Sequence, residues 1–234
     1  FILGKELLFL GHFWSLAVEE QFYMFWPWLN KFKKQTIFKL SLLLLVLLIG
    51  LKTYLHIFVP SSLLELFIHV TRFQCMIIGG LAAMLYSNKN KLFRLIAEHP
   101  VSQIVAWVCL GLVIINKFHI ISFLDNEFLS VITVLIIIGQ ITQKGFISLE
   151  NKVFDFLGKN SYGIYVIHPL LIFLFSKIYV QVSSLEWVNY MVVFASITLS
   201  TVWFSHLSYK HFETPFLKLK KDKYTVIKSS ASVN

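Results

Sequence analysis

The sequence is poor in charge and in cysteine. Charged residues make up 14% of its 234 residues, with 12 acidic side chains against 21 basic ones, whereas soluble domains carry about 25%. The two cysteines, Cys75 and Cys109, lie in apolar stretches, where a thiol behaves as a small hydrophobic group. They exclude a disulfide framework and a cysteine-rich metal site, and we expect no metal in this chain.

Long hydrophobic runs take the place of charge. The chain is 57% hydrophobic with a mean hydropathy of +0.72, and apolar runs such as residues 40–50 and 131–139 recur along it. A soluble domain of this length has no room to bury them all. The composition therefore predicts an all-α fold, a polytopic bundle of transmembrane helices in a lipid bilayer.

The sequence contains about seven segments of the roughly 20 apolar residues that cross a bilayer. We predict spans over residues 7–29, 38–59, 70–86, 101–117, 127–142, 161–180 and 187–209. The first is interrupted by Glu19, Glu20 and Gln21, so a broken or re-entrant segment is the alternative there. Pro27 marks either a kink in this segment or its last turn.

Lysine and arginine are distributed unevenly between the loops. They follow the first, third, fifth and seventh predicted spans, whereas the intervening loops, around residues 60–70, 119–127 and 181–186, contain none. Because cytoplasmic loops carry the positive excess, we expect the amino end of the chain outside and the carboxyl end in the cytoplasm. Topology accounts for the net charge of +9, so we expect no nucleic-acid partner.

We predict one transmembrane domain over residues 1–212 and a basic cytoplasmic tail over residues 213–234. The tail is rich in lysine and ends in a serine-rich segment, so it should be mobile, with its lysines near anionic lipid head groups. The chain begins at Phe1 without a basic segment or a small-residue cleavage site. No signal peptide is visible, and we expect a fragment of a longer protein.

The segment from His12 to Tyr23 places two adjacent carboxylates and a glutamine in an aromatic, apolar helix. Helical spacing puts four of its polar side chains on one face: His12, Ser15, Glu19 and Tyr23. Glu20 is turned about 100° away. An ionisable group in hydrocarbon costs about 2.5 to 3.5 kcal/mol, so it normally faces a bundle interior or a wet cavity. We expect this face to line a cavity; the alternative is that both glutamates pair with adjacent helices and hold the bundle together.

Arg72 begins the third predicted span and is the only arginine near the predicted outer face. Its guanidinium is permanently charged and suits anionic oxygens. It is a candidate for pairing with Glu19 or Glu20, for binding a substrate oxygen or for stabilising an oxyanion; the structural alternative is an arginine that reaches the membrane interface. The small residues that follow it, Gly79 and Gly80, indicate a close helix crossing.

A second polar cluster follows the fifth predicted span. Asn160 or Ser161 is a candidate N-cap, and Tyr162 and His168 are candidate substrate-binding residues on the helix after it. His168 precedes Pro169 inside an apolar helix. Its ring either satisfies the carbonyl that the proline frees or lines a polar cavity.

The last predicted span ends in the segment from His211 to Phe216, where Pro215 predicts helix termination. The sequence contains no nucleotide-binding loop, zinc-protease helix or nucleophile elbow. Because these common catalytic motifs are absent, the polar residues within the predicted spans are the remaining candidates for catalysis.

The segment Trp14-Ser15-Leu16-Ala17-Val18-Glu19-Glu20-Gln21-Phe22-Tyr23 resembles the signature of the acyltransferase-3 family. These are bacterial membrane O-acyltransferases that acetylate lipopolysaccharide, peptidoglycan and other cell-surface glycans. The resemblance continues in order through Thr71-Arg72-Phe73 with Gly79, through Leu157 to Tyr162 with Tyr165 and His168, and to Glu213-Thr214-Pro215-Phe216. It thus covers nearly the whole chain.

The resemblance implies transfer of an acyl group, usually acetyl from cytoplasmic acetyl-CoA, to a hydroxyl of a glycan across the bacterial inner membrane. The proposed catalytic histidine of the family, with its basic partner, lies before the Trp-Ser-Leu motif. That region is absent here, so the chain resembles the carboxyl-terminal portion of such an enzyme. None of its own histidines inherits the catalytic role by motif.

We therefore expect Glu19, Glu20 and Arg72 to be the functional groups. Glu19 would orient or tune the catalytic histidine or the acceptor hydroxyl, and Arg72 would contact an anionic donor or an oxyanion. The expected substrate-binding residues are His12, Ser15, Tyr23, Tyr162 and His168. The donor would be acyl-CoA, whose phosphates have candidate contacts in the cytoplasmic lysines, although topology alone explains those lysines.

Two other functions fit the same residues. In a transporter or flippase the polar stripe would form a substrate path with Arg72 as its gate, but the paired repeats common in transporters are not visible. The third interpretation is an inactive remnant or a partner-dependent subunit that needs its missing helices.

Overall fold

The computed structural model describes residues 13–29, 31–178 and 185–223. Within these ranges the chain is almost entirely helical and contains no β-strand, which confirms the all-α fold. The elements are α1 (Phe13–Leu29), α2 (Lys34–Phe58), α3 (Leu63–Thr71), α4 (Phe73–Ser87), α5 (Lys91–Ala97), α6 (Pro100–Ile114), α7 (Asp125–Thr142), α8 (Lys152–Ile178), α9 (Glu186–Ser208), a π-helical turn (Tyr209–Glu213) and α10 (Thr214–Lys223).

Five stretches of the described chain are long and apolar enough to cross a bilayer. They are α2, the α3–α4 pair, α7, α8, and α9 with its extension to Leu219. The α5–α6 pair, bent by 54°, makes a sixth if it is counted as one broken span. This is slightly fewer than the seven spans predicted. The described part of α1 has 17 residues, and at about 1.5 Å per residue such a helix falls short of the hydrocarbon core of about 30 Å.

The helix α1 is continuous from Phe13 to Leu29, and Pro27 lies in its last turn rather than at a kink. Its described part is therefore not broken. The predicted start of the sixth span is wrong, because α8 begins at Lys152, where Asn151 Oδ1 accepts two backbone N–H hydrogen bonds of 3.0 Å each. Neither Asn160 nor Ser161 is the N-cap, since both lie inside α8.

The last predicted span does not end at Pro215. The π-helical turn leads from α9 directly into α10, and Thr214 Oγ1 donates a hydrogen bond of 2.7 Å to the carbonyl of Tyr209. Proline lacks an N–H and its ring crowds the carbonyl four residues back, and a single π turn widens a helix locally so that it continues. Residues 214–223 of the predicted mobile tail are thus helical, and residues 224–234 lie outside the described residues.

The described residues form two compact units, one up to Leu149 and one from Glu150 onward. In the first unit α4 contacts both α2 and α7, α6 packs on α7, and α1 contacts α3 and α4. The apolar centre between α6 and α7 contains Ala106, Ile132 and Ile136. In the second unit α8 packs along α9, and Gly163 faces Ser205 at their closest approach.

The interior of the first unit combines apolar and polar side chains, whereas many large apolar side chains lie on its exposed surface, as expected for helices in lipid. In α2 the buried side chains include Ser41 and Lys52, while Leu43 and Leu47 are more than half exposed. Lipid solvates the leucines, whereas an ammonium group needs a partner inside the bundle. Interior polar contacts therefore carry the specific information about how these helices assemble.

Candidate functional site

A buried polar network joins three helices of the first unit. Lys52 Nζ on α2 lies 2.6 Å from Glu127 Oε1 on α7, and Gln74 Nε2 on α4 donates a hydrogen bond of 2.8 Å to the same oxygen. Lys52 and Gln74 are at most 1% exposed and Glu127 is 6% exposed. Two opposite charges paired in this way neutralise each other in a medium where neither is stable alone.

None of these three residues was among the predicted site residues. The available signal was charge inside predicted spans, because Lys52 lies in the second and Glu127 begins the fifth. The sequence does not say that they meet. The pair lies toward the end of the first unit at which α2 ends and α4 and α7 begin, which we call the lysine-poor end. The opposite end contains the α1–α2 and α4–α5 connections, and we call it the lysine-rich end.

Arg72 lies at a break in the third span, also toward the lysine-poor end. It adopts a left-handed backbone conformation, with φ 50° and ψ 29°, between α3 and α4. Its N–H bonds back to the carbonyl of Ile68, and its own carbonyl accepts from the N–H of Cys75 at 3.0 Å. A non-glycine residue in this conformation is uncommon and often marks a functional position. The α3–α4 pair still counts as one candidate span, from Leu63 to Ser87.

A cavity of about 310 Å³ lies between α4 and α7 and is bordered by Arg72. Its polar lining comes from Cys75 on α4 and from Asn126 and Ser130 on α7, and its remaining walls are apolar apart from Thr133. Gly79 also lines it, and a Cβ added there would meet nothing within 4 Å. The structure therefore places Arg72, whose side chain is exposed, at the edge of an open cavity between α4 and α7, and its part in the reaction stays a prediction.

A second cavity, of about 440 Å³, lies at the same end between α2, α3 and the α6–α7 connection. His56 Nδ1 is 2.9 Å from Glu65 Oε1 there, and the backbone N–H of Ser61 donates to Glu65 Oε2 at 2.6 Å. The His56 ring stacks on Phe123 with centroids 4.6 Å apart. The sequence prediction did not include this pair, since its members lie at the end of one helix and the start of the next.

A third cavity, of about 260 Å³, lies at the lysine-rich end between α1, α2 and α4. Trp26, Lys34, Ser87 and Asn88 are among its lining residues. Here α1 and α4 approach closely, because a Cβ added to Gly80 would lie 2.5 Å from Trp26 Cη2. The predicted close crossing therefore occurs at Gly80.

The predicted residues of α1 lie on exposed surface of the described chain. Glu19, Glu20, Ser15 and Tyr23 are all exposed, and Val18 is the buried residue of this helix. No ion pair joins Arg72 to either glutamate within the described ranges. His12 lies outside the described residues, so its predicted role in substrate binding stays a prediction, as do the roles of the other four.

Tyr162 and His168 belong to α8 in the second unit. Tyr162 is 55% exposed. His168 is half-buried, and its Nδ1 lies 2.8 Å from the carbonyl of Tyr165, which is the carbonyl that Pro169 leaves without its helical donor. This contact is the structural alternative predicted for His168, in which its ring satisfies the carbonyl that the proline frees. A role for either residue in substrate binding stays a prediction.

The fold and these cavities define a helical membrane protein with ionisable groups inside its bundle. A family model described as "Acyltransferase domain" matches residues 3–210, and the chain belongs to this family, acyltransferase-3. "Putative O-acetyltransferase SACOL0978" of Staphylococcus aureus strain COL is 30% identical over 232 residues, and "O-acetyltransferase OatA" of S. aureus strain NCTC 8325 is 26% identical over 228 residues.

Each of these matches covers 89% of this chain and 36% of the relative. The chain thus spans little more than a third of the length of the curated relatives that it matches. No solved structure matches the chain significantly.

Proposed function

We propose that this chain is part of a membrane O-acyltransferase that moves an acyl group, acetyl in the simplest case, from acyl-CoA to a hydroxyl of a cell-surface glycan. Membership of the acyltransferase family supports acyl transfer, and the names of the relatives support an O-acetyl product. The observation that carries the proposal is Arg72, a permanent positive charge held by a left-handed turn at the edge of an open cavity between two membrane helices.

The cavity at Arg72 suits the charge that develops in acyl transfer. When a hydroxyl attacks an acyl carbonyl, the carbonyl oxygen becomes an oxyanion, and a preorganised cation stabilises it. Asn126 and Ser130 line the same cavity and add hydrogen-bonding groups. Leu129, Val134 and Ile137 give the cavity apolar walls.

We assign the two glutamates of α1 to the same reaction. The helix contacts α3 and α4, the helices on either side of Arg72, while its carboxylates lie on surface that the described residues leave open. That surface is available to the catalytic histidine expected before the Trp-Ser-Leu motif, or to the acceptor. Glu19 then orients that histidine or the acceptor hydroxyl, and Glu20 supports it from the neighbouring face.

The acyl donor is assigned to the lysine-rich end. Lys34 lines the cavity there together with Ser87 and Asn88, and Lys31 lies 4.1 Å from the centroid of the Trp28 ring. These cations and polar groups fit the phosphates of CoA. A cavity of about 260 Å³ is below the range of pockets that enclose a drug-sized ligand, so it would hold only part of such a donor.

The same lysines support an orientation with the lysine-rich end in the cytoplasm of a bacterial inner membrane. The connection between α6 and α7 contains Lys117, because α6 ends at Ile114, so the opposite side is not free of lysine as predicted. The excess still lies with the α1–α2 and α4–α5 connections. The carboxyl end of the chain is then cytoplasmic, and the glycan is modified on the outer side.

Acetyl transfer by the full protein in membrane vesicles tests this function. Vesicles supplied with acetyl-labelled acetyl-CoA should accumulate base-labile label in glycan, and Arg72→Asn should lower this rate by about 10²-fold or more, the cost of losing an oxyanion contact. Asparagine tolerates the left-handed conformation, so the turn between α3 and α4 should survive. Arg72→Lys keeps the charge and should retain part of the activity.

Two results would contradict the proposal. A wild-type protein that moves glycan or lipid-linked substrate across the vesicle without incorporating acetyl would be a transporter. Full transfer activity in Arg72→Asn, at wild-type protein level, would remove Arg72 from the reaction.

A further inference from the structure

We infer that the cavity formed by α2, α3 and the α6–α7 connection is the subsite for the acceptor, and that it binds a polyhydroxylated ring through His56 and Glu65. This inference rests on the proposed function and assigns it a substrate-binding site. The cavity shares no lining residue with the cavity at Arg72, and none of its lining residues belongs to the α1 motif or to the other family-like segments of the sequence.

The His56–Glu65 pair presents a hydrogen-bonding group of fixed orientation. Glu65 is held by two contacts, His56 Nδ1 at 2.9 Å and the backbone N–H of Ser61 at 2.6 Å. With Nδ1 engaged by a carboxylate, the proton of a neutral ring belongs on Nδ1 and Nε2 is an acceptor. Within the described residues Nε2 has no hydrogen-bond partner, so it is available to a ligand hydroxyl.

The remaining lining suits a sugar ring. Three hydroxyl groups, from Ser61, Ser62 and Ser122, surround the pair, and Leu66 and the Phe123 ring supply apolar surface. A sugar presents hydroxyls at its edge and C–H groups on its faces, so it needs this combination of a few convergent polar groups on an apolar wall. The volume of about 440 Å³ is enough for a ring of this kind.

Charge and position favour the acceptor over the acyl donor. The cavity contains no lysine or arginine among its lining residues, and the Glu65 carboxylate would repel the phosphates of CoA. His69 lines this cavity from the last turn of α3, while Arg72, at the end of that helix, borders the neighbouring one. A ring held here therefore lies beside the cavity where the acyl carbonyl is expected.

The test separates binding of the acceptor from the use of the donor. In vesicles containing the full protein, we would measure the concentrations of glycan acceptor and of acetyl-CoA that give half-maximal acetyl incorporation. The double variant His56→Asn with Glu65→Gln should raise the half-saturating acceptor concentration by about tenfold, as expected for losing one or two hydrogen bonds, and leave that of acetyl-CoA unchanged. The matched control is Glu98→Gln with His99→Asn, an adjacent carboxylate and imidazole at the lysine-rich end of the first unit, which should change neither value.

A direct measurement decides the case independently of turnover. Saturation-transfer NMR with a tetramer of N-acetylglucosamine as the probe should detect binding to the wild-type protein and to the control, and weakened binding to the double variant. Unchanged half-saturation by the acceptor, an equal effect on acetyl-CoA, or absence of probe binding to the wild type would overturn the subsite. Absence of acetyl incorporation in the wild type would reject the proposed function instead. The NMR comparison would then still decide whether the cavity binds the sugar probe.

Discussion

Lys52 and Glu127, 75 positions apart in the sequence, form a buried ion pair of 2.6 Å between α2 and α7. Gln74 on α4 donates to the same carboxylate oxygen, so two contacts to one oxygen join three helices at the lysine-poor end. Cys75 and Asn126, the chain neighbours of Gln74 and Glu127, line the cavity at Arg72. Neither Lys52 nor Glu127 lines the cavity at Arg72 or the cavity at His56.

Breaking this pair on one side should be strongly destabilising. Lys52→Met leaves a buried carboxylate without its cation, and the expected loss is about 3 to 5 kcal/mol. Thermal unfolding of the purified protein in detergent would show it as a lowered midpoint. The double variant Lys52→Met with Glu127→Leu removes both charges and should recover most of the loss. Single variants as stable as the wild type would show that the pair is not formed.

The close approach of α8 and α9 predicts a position-specific effect of bulk. A Cβ at Gly163 would lie 3.2 Å from Ser205 Cβ and 3.3 Å from its Cα, whereas a Cβ at Gly158 on the same helix would meet nothing within 4 Å. Gly163→Leu should therefore separate the helices and cost about 1 to 3 kcal/mol or more. Gly158→Leu should be neutral or slightly stabilising, since leucine is the better helix former. Equal unfolding temperatures for the two variants would contradict this packing.

The contact between α4 and α1 should be needed for activity more than for stability. Gly80→Leu would displace the Trp26 ring, because the Cβ of the new side chain would lie 2.5 Å from Trp26 Cη2, and would so free the helix that carries Glu19. We expect faster hydrogen exchange in residues 13–29 and reduced acetyl transfer. Gly50→Leu is the control, because a Cβ there meets nothing within 4 Å. Unchanged exchange in α1 would argue against this contact.

The carboxylate of Glu19 should be required for transfer itself. Glu19→Gln keeps the size and the hydrogen-bonding capacity of the side chain but removes its charge, and acid–base or orienting groups of this kind typically contribute about 10² to 10⁴ in rate. Glycan acetylation by the full protein should fall accordingly at a normal protein level. Glu98→Gln, which alters a carboxylate paired with Lys144, should leave it intact. Intact acetylation in Glu19→Gln would defeat the assignment.

Much of the fold was predictable because hydropathy is a local property. Apolar segments of about 20 residues identify membrane helices whatever their neighbours are, and the limits of α6 and α7 differ from prediction by only a few residues. The predicted helix limits were wrong where residues elsewhere in the same segment changed the effect of a single capping or terminating residue. Asn160 has the chemistry of an N-cap, but Asn151 caps the helix earlier; Pro215 signals an end, but the π turn lets the helix continue.

The sequence by itself determined an all-α membrane protein, its family and the choice of Arg72 as a candidate, because these follow from composition and from short ordered motifs. Only the tertiary structure decided that Lys52 meets Glu127, that Glu65 holds His56, and that hollows form beside them. These contacts join residues on different helices, and the angle and register at which helices pack fix which side chains meet. Spacing along one helix predicts which residues share a face, but the opposing face belongs to another part of the chain.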